Sequence, residues 1–298
     1  MTRALRSLLF APGNQPRKLA RVADFGSDAI ILDLEDAVPV AEKESTRPMV
    51  REALPNIAAG PVRYVRVNAI ETGLTRADLE GVYCPQLDGI KLPKVEQPSD
   101  VLEVDDILTE LERQAGVAPG TTDLIPTIET ARGVLAAQSI ASASPRVKRL
   151  SFGAADFCRD VSVRFGGSLW GTDGLELQYA RSHLVLASRA AGIEAPLDTV
   201  WIDIRDNEGL EQDAHNALRL GFQGKSAIYP GQVQIINRVF SPTAEELEFA
   251  RRVVAAFDEA EARGDAAIQL EGRMIDYPIA VKARWILERA NMMGVVEA

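Results

Sequence analysis

Five short apolar runs in the chain each end in charge. They are closed by Asp33-Leu34-Glu35-Asp36, Arg66-Val67-Asn68, Lys91-Leu92-Pro93-Lys94, Glu129-Thr130 and Gly153-Ala154-Ala155-Asp156. A charge beside an apolar segment is costly to desolvate unless it is paired or bound to a metal. Any one of these residues could be a helix cap or part of a solvated loop. Five in succession point to a site.

Glu129 and Asp156 close successive runs, so in a closed barrel their carboxylates can converge. Two such anions do not both stay ionised without a cation between them. The chain has only two histidines, His183 and His215, both inside helical stretches. A donor set rich in carboxylates and poor in histidine selects a hard ion, Mg²⁺ or Mn²⁺, which keeps waters and accepts substrate oxygens. Arg66 carries a planar fork suited to a carboxylate or oxyanion. It could equally pair with an acid of the Asp33–Asp36 group, and the two roles are compatible. Lys94 reads either as a second cation at the rim or as a salt-bridging lysine.

The apolar runs imply the elements that would hold these groups. Candidate strands are Ser7–Phe10, Ala29–Leu32, Arg63–Val67, Gly89–Leu92, Asp123–Ile128, Arg149–Phe152, Thr199–Ile202 and Ser226–Ile228. Most are apolar on both faces, as strands of a buried parallel sheet should be. Helical spacing falls between them at Leu19–Asp24, Asp100–Gln114, Thr130–Ser142, Leu175–Ala191 and Glu208–Leu220, with glycines following at Gly116, Gly192 and Gly221. Eight βα alternations in about 240 residues suit a (β/α)8 TIM barrel, whose typical length is ~250 residues and whose chemistry sits at the C-terminal strand ends. The barrel is expected over residues 1–240. Residues 241–298 form a C-terminal helical and hairpin extension: a helix starting near Ser241-Pro242 and running to about Arg263, a hairpin around Glu271-Gly272, and a helix over Ile279–Ala290.

Composition narrows the function classes. The 298 residues carry 33 Lys+Arg against 43 Asp+Glu, a formal charge of −10, which disfavours a nucleic-acid or anionic-membrane coat. Leu8-Leu9-Phe10-Ala11 is too short for the core of a signal peptide, and no run reaches the ~20 apolar residues of a membrane span. Two cysteines, Cys84 and Cys158, make neither a disulfide framework nor a thiolate cluster, so a cytoplasmic location is expected. Three motif matches fail on inspection. Gly224-Lys225-Ser226 lacks the first glycine of a P-loop, where Arg219 stands, and leads into a strand. Gly167-Ser168-Leu169-Trp170 lacks the second glycine of a nucleophile elbow, and no dinucleotide fingerprint follows a strand.

With those motifs in view, the chain resembles the citrate lyase β-subunit-like branch of the HpcH/HpaI aldolase superfamily, which includes malyl-CoA and citramalyl-CoA lyases. The carriers are Arg6-Ser7-Leu8-Leu9-Phe10-Ala11-Pro12-Gly13, Ile31-Leu32-Asp33-Leu34-Glu35-Asp36-Ala37-Val38, Arg66-Val67-Asn68, Leu92-Pro93-Lys94, Ile128-Glu129-Thr130, Phe152-Gly153-Ala154-Ala155-Asp156-Phe157 and Gly224-Lys225-Ser226-Ala227-Ile228. The resemblance implies Mg²⁺ on Glu129 and Asp156, and a substrate oxygen on Arg66. It also implies coenzyme A phosphates on Arg17 and Arg21, which spacing alone would make a solvated helix face. Glu271-Gly272-Arg273-Met274-Ile275-Asp276 resembles the motif that brings an acid/base aspartate into a neighbouring subunit's site, so the resemblance implies a homotrimer. Tyr229 stands where many citrate lyase β chains have histidine, and Arg273 where malyl-CoA lyases often have lysine.

The reaction so implied cleaves a 3-hydroxyacyl thioester of citryl, malyl or citramalyl type, carried on coenzyme A or an acyl carrier, to an acetyl or propionyl thioester and a 2-oxo acid. Asp276 is the leading acid/base, with Glu35 and Asp36 as local alternatives. Competing readings are a malyl-CoA thioesterase, a metal-dependent 2-oxo acid aldolase without coenzyme A, and a non-catalytic carrier- or coenzyme A-binding subunit.

Overall fold

The computed structural model describes residues 4–163, 171 and 173–294. Gly167-Ser168-Leu169-Trp170 lies outside them. Contacts divide the chain into a unit of Leu5–Arg238 and a second that contains the residues from Val239 onward.

In the first unit the elements run β1 Ser7–Pro12, α1 Pro16–Leu19, β2 Ala29–Asp33, α2 Lys43–Ala53, β3 Val62–Arg66, α3 Thr75–Val82, β4 Gly89–Leu92, α4 Pro98–Gln114 and β5 Asp123–Ile128. They continue with α5 Ala131–Ala141, β6 Ser151–Phe152, α6 Ala154–Asp160, α7 Gln178–Ala190, β7 Leu197–Asp198, α8 Asn207–Leu220 and β8 Gly224–Ala227, before α9 Pro230–Phe240. The eight strands pair in parallel in chain order and β8 returns to β1, closing the barrel. This is a (β/α)8 barrel, as the alternation predicts.

Because side chains alternate faces along a strand, inward residues stack in layers. Leu8, Ile31, Tyr64, Ile125 and Leu197 form an apolar plug, one cluster with Leu5 and Ala29. Two residues further along come Phe10, Asp33, Arg66, Lys91 and Thr127, all lining one cavity. The barrel thus changes from oil to charge within one layer.

Three expected elements shift. The seventh strand is Leu197–Asp198 rather than Thr199–Ile202, and the eighth is Gly224–Ala227 rather than Ser226–Ile228. The Val200-Trp201-Ile202 run is apolar because Trp201 is buried in the loop, where its carbonyl accepts from Gln232 Nε2 at 2.8 Å. The helix expected over Leu19–Asp24 is instead the short α1 followed by a 3-10 turn at Val22–Phe25.

The second unit contains α10 Ala244–Ala262, a hairpin of β9 Ala267–Leu270 and β10 Arg273–Asp276, and α11 Tyr277–Met292. Thr243 and Glu246 form a capping box at the start of α10. Glu271 and Gly272 both adopt positive φ, 50° and 76°, which a two-residue hairpin turn of the primed type requires. Val253, Phe257, Ile275, Ala280 and Ala283 make its core. Among the described residues no helix is long and apolar enough to cross a membrane.

Candidate functional site

A cavity of about 410 Å³ opens at the C-terminal ends of the strands. It brings together Asp33, Asp36, Arg66, Lys91, Glu129 and Asp156 from the charged strand ends, and adds Lys18.

Glu129 follows the last residue of β5, where Thr130 caps α5 by accepting from the Gly133 amide at 3.1 Å. Its side chain lies against Gly153: a Cβ there would fall 2.2 Å from Glu129 Oε2 and 2.8 Å from its Cβ. Only glycine leaves room for the carboxylate, which explains Gly153 before Asp156. Glu129 Oε1 accepts from the Lys94 amide at 2.7 Å, and Lys94 adopts φ 52° to make that contact. Non-glycine residues held at positive φ concentrate at functional sites. Burial, then the nearby Glu35 and Asp156 charges, push the Glu129 carboxyl up to about 8. Asp156, in the first turn of α6, pairs with the exposed Arg159 at 2.8 Å.

Arg66 closes β3 and stacks 4.9 Å over the Phe10 ring. Its fork is already taken: Nε and Nη2 donate to Asp33 at 2.6 and 2.7 Å. The remaining Nη1 lies 2.9 Å from Glu35 and 3.3 Å from Asp36. The ion-pair reading of Arg66 therefore holds. A substrate oxygen would meet its Nη1 edge rather than the whole fork, a correction to bidentate capture. Asp33 also accepts the amides of Glu35 and Ala37, both at 3.0 Å. Burial would raise the Asp33 carboxyl, but Arg66 and these amides hold it below the usual range.

Glu35 is buried between Arg66 and Lys94, whose Nζ donates to it at 2.8 Å. Lys94 is thus a salt-bridging lysine that also sits at the rim. The loop bearing Glu35 is pinned from behind, because Lys43 Nζ donates to the Leu34 and Glu35 carbonyls and to Asn68 Oδ1. Asp36, in contrast, is exposed.

Lys91 is buried one layer below the rim, its Nζ donating to Ser151 Oγ at 2.5 Å. Burial and the Arg66 charge bring its ammonium down to about 7. An isolated lysine inside a strand gives no local signal of function, and Lys91 was legible only as part of a charged strand end.

Arg17, Arg21 and Asp276 are not among the residues that line the cavity. Arg17 and Arg21 are exposed, Arg21 pairing with Asp24 at 3.4 Å and lying over Phe25. Asp276 belongs to the second unit, where it caps α11, accepting from the Ile279 amide at 3.5 Å. His183 stacks on Tyr179, and His215 is exposed on α8. Among the described residues no three His, Cys, Asp or Glu side chains gather as a metal cage. Two carboxylates facing an open cavity nevertheless fit Mg²⁺, which is commonly held by one or two protein carboxylates plus waters and substrate oxygens.

A family model, HpcH/HpaI aldolase/citrate lyase, matches residues 6–230. The chain belongs to this family. It is 37% identical over 298 residues to citrate lyase subunit beta of Leuconostoc mesenteroides subsp. cremoris, covering 99% of this chain and 96% of that one. It is 35% identical over 294 residues to a (3S)-malyl-CoA thioesterase of Cereibacter sphaeroides, covering 98% and 97%. Its fold matches CitE of Mycobacterium tuberculosis, solved in complex with magnesium, acetoacetate and coenzyme A, with a TM-score of 0.76 at 32% identity over 97% and 98% of the two chains.

Proposed function

We propose that the protein is a Mg²⁺-dependent carbon–carbon lyase that splits a 3-hydroxyacyl thioester into an acetyl or propionyl thioester and a 2-oxo acid. The observation that carries this is the meeting of Glu129, Asp156 and the Arg66 edge in one open cavity. The solved relative carries magnesium and coenzyme A, and the malyl-CoA thioesterases keep hydrolysis as the second reading.

Glu129 and Asp156 would hold the ion, which when bound supplies positive charge to the oxygen that ends as the oxo group. Arg66, stiffened by Asp33 and Phe10, presents Nη1 to the same developing charge without having to reorganise. Glu35 and Asp36 lie against that edge and are local candidates to take the hydroxyl proton. The thioester carbon left as an enolate needs a proton donor. We assign it to Asp276 of a neighbouring copy in a homotrimer, with Arg17 and Arg21 on the coenzyme A phosphates. Exposed Met274, Tyr277 and Trp285 on the second unit supply apolar surface for such an assembly. Two buried free thiols suit a cytoplasmic setting.

Purified chain should turn over at least one of malyl-, citramalyl- and citryl-CoA with Mg²⁺ and stop with chelator. No product from any of them, on coenzyme A or on an acyl carrier, overturns the reading. Mixing Asp276→Asn with Glu129→Gln chains should restore part of the activity, and mixed oligomers without recovery would exclude the shared site.

A further inference from the structure

The floor of the cavity is built from donors that have too few acceptors. Lys91 Nζ donates to Ser151 Oγ at 2.5 Å. Thr127, two residues before Glu129 on the same face of β5, lines the cavity with a hydroxyl that has no hydrogen-bond partner among the described residues. Lys91 is 3% exposed, Thr127 5% and Ser151 0%. Leaving such groups buried and unmatched is costly, so the floor is complementary to an anionic acceptor.

We propose that Lys91 and Thr127 form a subsite for a carboxylate of the oxo-acid fragment, an inference that rests on the lyase reading above. A thioester with its coenzyme or carrier can approach only from the open rim. The oxo acid must then lie deeper, and a substituent on its oxo carbon that faces away from the thioester meets the floor. A carboxylate there accepts from the Lys91 ammonium and the Thr127 hydroxyl together. Two sources of that group are open: the carboxylate beside the oxo carbon, present in every such acid, or the distal carboxylate of a dicarboxylic one.

Calorimetric titration with pyruvate and with oxaloacetate, Mg²⁺ present, tests this on wild type, Lys91→Met and Thr127→Val. Lys91→Met should weaken binding roughly tenfold to a hundredfold, the range of a hydrogen bond to a charged group. Thr127→Val should weaken it by a smaller factor. Because the Thr127 hydroxyl has no internal partner, that variant should melt like wild type, and it decides the question if Lys91→Met does not fold. Coenzyme A affinity should not change in either. Weakening of both acids places the carboxylate beside the oxo carbon on Lys91, and weakening of oxaloacetate alone places the distal one there. Variants that bind both acids as wild type does would overturn the subsite alone. A wild type that binds neither acid would remove the subsite and the lyase reading together.

Discussion

Two buried charge clusters share the barrel, and they differ in whether their charges balance. Behind β7 and β8, Arg181 and Lys225 meet Asp198 and Asp213, with contacts of 2.5 to 3.1 Å among them and exposures of 0–1%. Two cations face two carboxylates, and each carboxylate touches both cations. Burial would raise Asp213, but Lys225 and Arg181 hold it below its usual range. At the rim, Glu129 has one backbone amide from Lys94 and the charges of Glu35 and Asp156 for neighbours, and its carboxyl rises to about 8. The closed cluster holds the structure together. The open one leaves carboxylates without a matching cation, as the proposed Mg²⁺ and substrate site requires.

The sharpest way to separate the two is to neutralise one acid in each. Glu129→Gln should cost turnover about 10²- to 10³-fold, the loss seen when a main electrostatic stabiliser of a transition state is removed, with melting temperature unchanged or raised. Asp156→Asn should behave alike. Asp198→Asn should do the reverse, destabilising the fold by about 3–5 kcal/mol because it leaves two buried cations facing the single carboxylate of Asp213. Denaturant unfolding and steady-state rates on the same preparations check both. A Glu129 variant that unfolds, or an Asp198 variant as stable as wild type, would erase the contrast.

Arg66 belongs to both kinds of arrangement, since Asp33 fixes it and Nη1 faces the cavity. Lys cannot reproduce the fork, so Arg66→Lys should reduce kcat/KM by about 10²-fold. An unchanged kcat/KM would make Arg66 a member of a purely structural cluster.

The open cluster was the more legible of the two in the sequence, for a physical reason. Parallel strands line up their C-terminal ends, so charges that close successive apolar runs are neighbours in space, and Glu129, Asp156, Arg66 and Asp36 duly line one cavity. The closed cluster joins residues 12 to 32 positions apart through helix faces, and no spacing announces it. Gly224-Lys225-Ser226 is legible as a failed P-loop and as part of the family resemblance, neither of which shows that Lys225 is a fully buried member of that cluster. Lys91 is legible as a charge at a strand end, but its place inside the barrel depends on strand parity, which the register Arg66 to Lys91 sets. The shift of β7 has the same origin. Apolarity at Val200-Trp201-Ile202 reports burial, and burial occurs in loops as well as strands.

The smallest expected effect, and the one that addresses charge balance directly, is the pH dependence of stability. The Glu129 carboxyl has a folded value of about 8, above its ordinary value near 4.5. A group raised on folding contributes stability that is fully present below its unfolded pKa and is lost as pH rises through the folded one. The protein without metal should therefore become less stable as pH climbs from about 4.5 to about 8. On the proposed reading Mg²⁺ would bind the ionised carboxylate, so its stabilisation should be larger at pH 8 than at pH 6, where a proton must first be displaced. Lys91 acts in the opposite direction: its folded value of about 7 lies below 10.5, so it adds stability as pH rises from about 7 toward 10.5. The two slopes overlap only between about 7 and 8; below 7 Glu129 acts in the same direction as Glu35 and Asp123, whose carboxyls burial also raises. Thermal melts of wild type and Glu129→Gln from pH 5 to pH 7, with and without Mg²⁺, isolate its share. The decline should be shallower in the variant, and the Mg²⁺ shift should be lost. A decline as steep in Glu129→Gln as in wild type, or a Mg²⁺ shift independent of pH, would mean that the unbalanced charge of the rim lies on another group.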